Sequence, residues 1–449
     1  MKIKFLGASG MVTGSAYVLT SGSGKSILID FGMFQGSPEL EKLNYEPPDY
    51  DFSQLTAVVL THAHLDHCGR LPILLSHGFK GNIWMTPPTR DLVEITLYDS
   101  AKIAKEDGSQ ALYDHNLAVQ TVLRIETVDY RVPKQIGDFT VTFRDAGHIL
   151  GSSSVEIVDN HPEGEIKKIV FSGDLGNTPE PLEKETEMID NADVIVMEST
   201  YGDRFHPKSN PEDTVRDEIN AIEKSGGTLL IPTFSLDRTQ EILHMIMHLK
   251  KEGKVKNETP VFLDSPMAEK ATRVYVNYPK NFNPHVQDDL KVGSIFDFPG
   301  LTIIGHGGES LSLHQNPEAK VIIAGSGMMT GGRIRAHATH YLPLESSRLL
   351  IVGYQAEGTL GRELLEGKKD VNIDGINTTV KATVTDTQAM SSHADQGQLM
   401  SWLKHIKGVK KVILTHGEDG SRETLSKKIS EELGIKDIVL PITNQEIVI

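Results

Sequence analysis

Along the chain, short aliphatic and β-branched runs alternate with longer stretches of helical periodicity. Residues 27–29, 57–60, 83–85, 168–171, 194–197, 228–231, 321–324, 349–352 and 412–414 read as strands. Residues 89–106, 211–224, 236–251, 333–342 and 421–433 repeat their apolar positions every three to four residues and read as helices. Continuous apolar strands of this kind are buried on both faces, which predicts an α/β protein with helices packed on its sheets. The texture changes near residue 205. Upstream, strands dominate and histidines and aspartates collect at strand ends; between about 205 and 375, strands and helices alternate regularly; after 375, histidine-bearing strand ends return. The pattern predicts one domain interrupted by another, with segments 1–204, 205–375 and 376–449.

Length supports the division, because 449 residues exceed what one core encloses. With a single cysteine, a disulfide framework and any cysteine-rich zinc module are excluded, so metal chemistry would fall to the 18 histidines and to carboxylates. No apolar run is long enough to span a bilayer, and the start Met1-Lys2-Ile3-Lys4-Phe5-Leu6 lacks the apolar core of a secretion signal. A cytoplasmic protein without a membrane partner is the expectation. The formal charge of -16 argues against coating a polyphosphate by bulk charge. If the substrate is a nucleic acid, a narrow and locally positive cleft must hold it.

The strongest chemical signal is Thr61-His62-Ala63-His64-Leu65-Asp66-His67, which directly follows a strand. Alternate side chains at a strand end point the same way, so His62 and His64 can reach one metal ion. The next turn brings Asp66 and His67 towards a second. Imidazole with carboxylate suits zinc, and a metal pair about 3.5–4 Å apart is a standard device for phosphoester hydrolysis.

This HxHxDH segment resembles the metallo-β-lactamase superfamily, and the likeness extends through Asp30 in Ile29-Asp30-Phe31-Gly32, His148 in Ala146-Gly147-His148 and Asp174 in Ser172-Gly173-Asp174. Later segments, Met197-Glu198-Ser199-Thr200, Ser391-Ser392-His393-Ala394-Asp395 and Leu414-Thr415-His416-Gly417, look like the three motifs of its β-CASP group, the nucleic-acid-processing branch that includes RNase J and the polyadenylation endonuclease. The resemblance implies an αββα sandwich with an inserted β-CASP α/β cap domain. It implies two zinc ions per chain: one held by His62, His64 and His148, the other by Asp66, His67 and His416, with Asp174 bridging and Asp30 orienting a ligand histidine. Asp66, Glu198 and His393 would be the catalytic groups, His393 protonating the leaving 3′ oxygen while Glu198 holds it. Histidine rather than valine at 416 implies RNA as substrate. The implied form is minimal, without the appended domains of RNase J and the archaeal relatives.

Weaker signals lie in the inserted region. The turn Gly325-Ser326-Gly327-Met328-Met329-Thr330-Gly331-Gly332-Arg333 offers backbone N–H groups before a helix, so Gly325, Ser326, Gly327 and Arg333 are candidates for RNA phosphate contacts, and Arg238 is another. A tight packing turn and a helix-start ion pair are the competing readings. His337 and His340 share a predicted helix and have no assigned role. Gly22-Ser23-Gly24-Lys25-Ser26 imitates a phosphate loop but has Leu19 where a glycine is required, so it reads as a hairpin turn. Cys68 reads as a packing residue. His244 and His248 are four residues apart on a helix, but Met245 stands where a zincin carries glutamate, so the pair reads as an ordinary helix face.

The reading is a zinc-dependent ribonuclease, endonucleolytic on single-stranded RNA. A 5′-exoribonuclease of the same group and a small-molecule hydrolase of the same superfamily are the alternatives. A homodimer is left open.

Overall fold

The computed structural model describes residues 1–106, 111–387 and 389–449. The chain forms two compact units: Met1–Phe205 with Ser392–Ile449, and His206–Ser391 between them.

The first unit contains two seven-stranded mixed sheets. One runs Glu446–Val448, Lys2–Phe5, Tyr17–Thr20, Ser26–Ile29, Leu55–Val59, Asn82–Met85, Ile125–Thr127; the other runs Ile438–Val439, Lys411–Leu414, Val194–Met197, Lys168–Phe171, Ser153–Asp159, Phe139–Asp145, Lys134–Ile136. Strand periodicity explains the layering. Ile169, Phe171, Val194, Val196 and Ile413 point inward and join Ile3, Phe5, Ile27, Ile29 and Val59 of the facing sheet in one core. Their neighbours Val170, Ile195, Met197, Val412 and Leu414 point outward onto Leu399, Trp402, Leu403, Leu425 and Ile429, from the helices Gln396–His405 and Asp419–Glu432. On the opposite side, Leu28, Val58 and Ile83 are equally buried, and helix Pro87–Glu106 lies against the edge strand Ile125–Thr127. The layer order is therefore helix, sheet, sheet, helix.

The second unit has a six-stranded sheet in the order Leu301–Ile303, Val261–Asp264, Lys320–Ala324, Thr228–Pro232, Arg348–Ile351, Thr383–Asp386, every pair parallel. Because Thr383–Asp386 is a strand of this sheet, the unit extends beyond residue 375. Ile322, Ala324, Leu349 and Ile351 pack on Ile334, Ala338, Tyr341 and Leu364. The capped helix Pro211–Ser225 packs on strand Thr228–Pro232 of the same sheet.

Two expectations, the hairpin turn and the packing role of Cys68, are met locally. The turn after Thr20 joins antiparallel strands with Thr20 opposite Ser26, a hairpin rather than a phosphate loop. Cys68 is buried, its Sγ 3.3 Å from the Ala63 carbonyl, consistent with packing. Among the described residues no helix is long and apolar enough to cross a membrane.

Candidate metal centre

The ligand-rich groups all emerge from strand ends of the first unit. Strand Leu55–Val59 delivers Thr61, His62 and His64, and His64 is the N-cap of the short helix Leu65–Cys68 that carries Asp66 and His67. Strands Val194–Met197 and Lys411–Leu414 are parallel neighbours with Met197 opposite Leu414, so Glu198 and His416 leave the sheet at adjacent ends. This pairing joins residues more than two hundred positions apart and completes the centre.

Two groups of donor atoms converge. In the first, His64 Nδ1 is 3.2 Å from both His62 Nε2 and His148 Nε2, and Asp174 Oδ2 is 3.5 Å from His62 Nε2 and 3.8 Å from His148 Nε2. In the second, His67 Nε2 is 3.2 Å from Asp174 Oδ2 and 3.3 Å from His416 Nε2, which is 3.3 Å from Asp66 Oδ2. Asp174 belongs to both groups. Tetrahedral ligands about 2.0–2.1 Å from a zinc ion sit about 3.3 Å from one another, so the spacings suit such an ion. Both oxygens of Asp174 are buried without a hydrogen-bond partner. A buried, unsatisfied carboxylate is strongly unfavourable unless a cation compensates it. The residues present therefore fit a divalent metal.

The outer ring nitrogens of His67, His148 and His416 are held by neighbours, which fixes the faces these rings turn to the centre. Asp30 Oδ2 is 2.8 Å from His67 Nδ1, while the Thr61 N–H and hydroxyl donate to Asp30 at 2.8 and 2.9 Å. The Ser392 carbonyl is 2.9 Å from His148 Nδ1, and the Thr200 hydroxyl is 3.1 Å from His416 Nδ1. Burial holds His62 and His148 well below the usual imidazole range and His64 down at about 4, the neutral form a metal requires. His393 is different. Its Nδ1 lies 3.2 Å from Glu198 Oε2; burial opposes the charged ring, but Glu198 prevails by charge and hydrogen bond and raises it to about 9.

A sequence profile of the metallo-beta-lactamase superfamily matches residues 10–232, a Beta-Casp domain profile matches 239–364, and a profile described as a Zn-dependent metallo-hydrolase RNA specificity domain matches 377–441. Ribonuclease TTHA0252 of Thermus thermophilus is 36% identical over 434 residues, covering 96% of each chain. The chain belongs to the metallo-beta-lactamase superfamily, in its Beta-Casp branch. An RNase J-like protein of Methanocaldococcus jannaschii is 32% identical over 425 residues, covering 93% of this chain and 92% of that one. The transcription termination factor FttA of the same organism is 30% identical over 435 residues and longer, 67% of it being covered.

Within this Beta-Casp protein the structure brings His62, His64, Asp66, His67, His148, Asp174, His416, Asp30, Glu198 and His393 together around the centre. The candidates for phosphate contact in the second unit have other partners. Arg333 donates to Asp264 at 2.6 Å and to the Ile304 carbonyl at 3.1 Å, and Arg238 pairs with Glu241 one turn on. Ser326 N–H donates to the Gly331 carbonyl at 3.3 Å and its hydroxyl accepts from Gly331 N–H at 3.2 Å, closing the glycine turn on itself; Gly325 and Gly327 accept from Ile334 N–H and Gln355. Carboxylates already neutralise both arginines, which favours an ion pair over a phosphate contact for Arg238 and Arg333; the Gly325 and Gly327 contacts engage carbonyl oxygens and do not involve their N–H groups. His337 is buried with Nε2 2.7 Å from Asp264, and His340 stacks on His314 at 4.2 Å. Thr61, Thr200 and Ser392, which orient ligands, stood inside the quoted motifs, but nothing in their spacing marked them for that role.

Proposed function

We propose that this protein is a zinc-dependent ribonuclease that cuts single-stranded RNA endonucleolytically. The observation that carries the reading is the pair of donor clusters sharing the unsatisfied Asp174, with the Glu198–His393 pair at their edge. Relatives along nearly the whole chain bear the names ribonuclease and RNase J-like protein, which supports RNA as the substrate.

His62, His64, His148 and Asp174 would hold one zinc ion, and Asp66, His67, His416 and Asp174 the other. When bound, such a pair supplies Lewis acidity that polarises a phosphoryl oxygen and acidifies water. Asp174 ties the two ligand groups into one rigid unit, and Asp30 holds the tautomer of His67 that leaves Nε2 facing inward. Glu198 is itself fixed, its Oε1 accepting the Leu175 N–H at 2.6 Å while Oε2 faces His393 Nδ1. That leaves Nε2–H of His393 to donate a proton to the departing 3′ oxygen. A 2′ hydroxyl takes no part in hydrolysis by water, so the products carry a 5′ phosphate and a 3′ hydroxyl.

Cleavage of a doubly end-labelled single-stranded RNA tests the reading. Fragments of intermediate length that each carry one end label are the expected result; mononucleotides released from one end would replace it with exonuclease action, and turnover of a thioester without RNA cleavage would replace it with small-molecule hydrolysis. His393→Ala separates the proton-donor role: normal metal content with wild-type cleavage would exclude it.

A further inference from the structure

Outside this centre, the second unit contains a further convergence of metal-binding atoms. His244 and His248 lie one turn apart on helix Arg238–Lys251, and helix Pro284–Val292 directs Asp289 at them. His244 Nε2 and His248 Nε2 are 3.2 Å apart; Asp289 Oδ2 is 3.0 Å from His248 Nε2 and 3.5 Å from His244 Nε2. These are the ligand–ligand separations of a tetrahedral zinc site, about 3.3 Å. They also match the 3.2–3.5 Å spacings of His62, His64 and Asp174 in the same protein.

Protons alone satisfy this triad poorly. If both Nε2 atoms carry hydrogen, both can donate to Oδ2, but the two N–H groups then face each other at 3.2 Å. If only one carries hydrogen, the other turns a lone pair towards the carboxylate. A dication at the centre satisfies all three atoms. Burial, then the neighbouring His248, keeps the His244 imidazole neutral, down at about 4. The site is not sealed: His244 is 9% exposed, but His248 and Asp289 retain 27% and 20%, so an ion can enter and water can complete its shell. Lys251 Nζ, 3.6 Å from Asp289 Oδ1, engages the other carboxylate oxygen and leaves Oδ2 to the triad.

We propose that His244, His248 and Asp289 bind a single transition-metal dication of the zinc class and thereby cross-link helices Arg238–Lys251 and Pro284–Val292. Two imidazoles and one carboxylate select zinc-like ions over calcium or magnesium, which prefer all-oxygen shells. Met245 occupies the position where a hydrolytic His-Glu-x-x-His helix carries its base, so the role is structural. The helix-face reading of the two histidines missed Asp289, which reaches them from 41 residues along the chain.

The test is metal content of the full-length protein, loaded with zinc and desalted, measured by plasma mass spectrometry. His248→Gln and Asp289→Asn should each hold one zinc per chain fewer than wild type while retaining RNA cleavage. In an Asp174→Ala background, which weakens the main centre, added zinc should raise the melting temperature, and adding Asp289→Asn should abolish the rise. Cobalt(II) substitution in that background should give visible bands of a four-coordinate site that Asp289→Asn removes. Unchanged zinc content in both single variants, each folded by circular dichroism, would overturn the proposal. So would an Asp174→Ala protein that takes up no zinc or cobalt that Asp289→Asn removes. If His248→Gln does not fold, the near-isosteric Asp289→Asn decides by the same measurements.

Discussion

Glu198 Oε2 lies 3.2 Å from His393 Nδ1, an ion pair in which the carboxylate is buried and the imidazole retains 22% exposure. The buried partner is fixed and the exposed one can reach a substrate, the arrangement a proton donor needs. Replacing Glu198 with glutamine keeps the shape and the acceptor for the Leu175 N–H but removes the charge. Glu198→Gln should lower kcat by about 10²-fold, the lower end of general-acid contributions, with zinc content and KM for RNA little changed. Steady-state kinetics beside metal analysis checks this; loss of zinc would instead make Glu198 part of the binding centre.

Asp30 receives hydrogen bonds from Thr61 and faces His67 Nδ1. In Asp30→Asn one oxygen becomes an amide that cannot accept from the ring, so His67 loses its tautomer control. Metal affinity should fall by about 10–100-fold, as for other partners of ligand histidines. Competition with a chromophoric chelator measures it, and an unchanged affinity would remove Asp30 from the orienting role.

Gly32 is placed where the backbones of two segments touch. A Cβ there would stand 1.6 Å from the Asp66 carbonyl oxygen and 2.5 Å from the His67 nitrogen. The close approach also carries the bonds Phe31 N to His67 O and Met33 N to Leu65 O, both 2.8 Å. Gly32→Ala must push the ligand helix away, destabilising the fold by about 1–3 kcal/mol or more and reducing zinc content. Chemical denaturation with metal analysis tests both effects together.

Asp145 gives a pH dependence of stability. Burial pushes its carboxyl up to about 7, against the hydrogen bond from Gly147 N–H that pulls it down. A carboxyl raised on folding binds its proton more tightly in the native state. Its contribution is therefore fully present below about pH 4, the unfolded value, and is lost as pH rises through about 7. Asp145→Asn should lose less stability than wild type over that interval. Denaturant midpoints across the range check it, and parallel curves for the two proteins would contradict it.

The local part of this architecture is legible in the chain. Strands such as Lys168–Phe171 and Val194–Met197 and helices such as Pro211–Ser225 and Asp419–Glu432 are found where apolar periodicity predicts them, within a few residues. That pattern survives because burial on one or both faces of an element is written in successive residues. The edge strand Ile125–Thr127 has no apolar alternation to reveal it, since most of it is exposed.

The chain by itself picked out the residues that meet at the candidate centre. His62, His64, Asp66 and His67 crowd one strand end, and the order of Asp30, His148, Asp174, Glu198, His393 and His416 marked a family. What only the tertiary structure decided is which side chains meet and which are already taken. For Arg238 and Arg333 a phosphate contact stood beside an ion-pair or packing role until Glu241 and Asp264 came beside them. His244 and His248 looked like a plain helix face until Asp289 joined them. The physical reason is the same in both cases: a charge or a lone pair is defined by its partner, and partners far apart in the chain are joined only when helices and sheets pack.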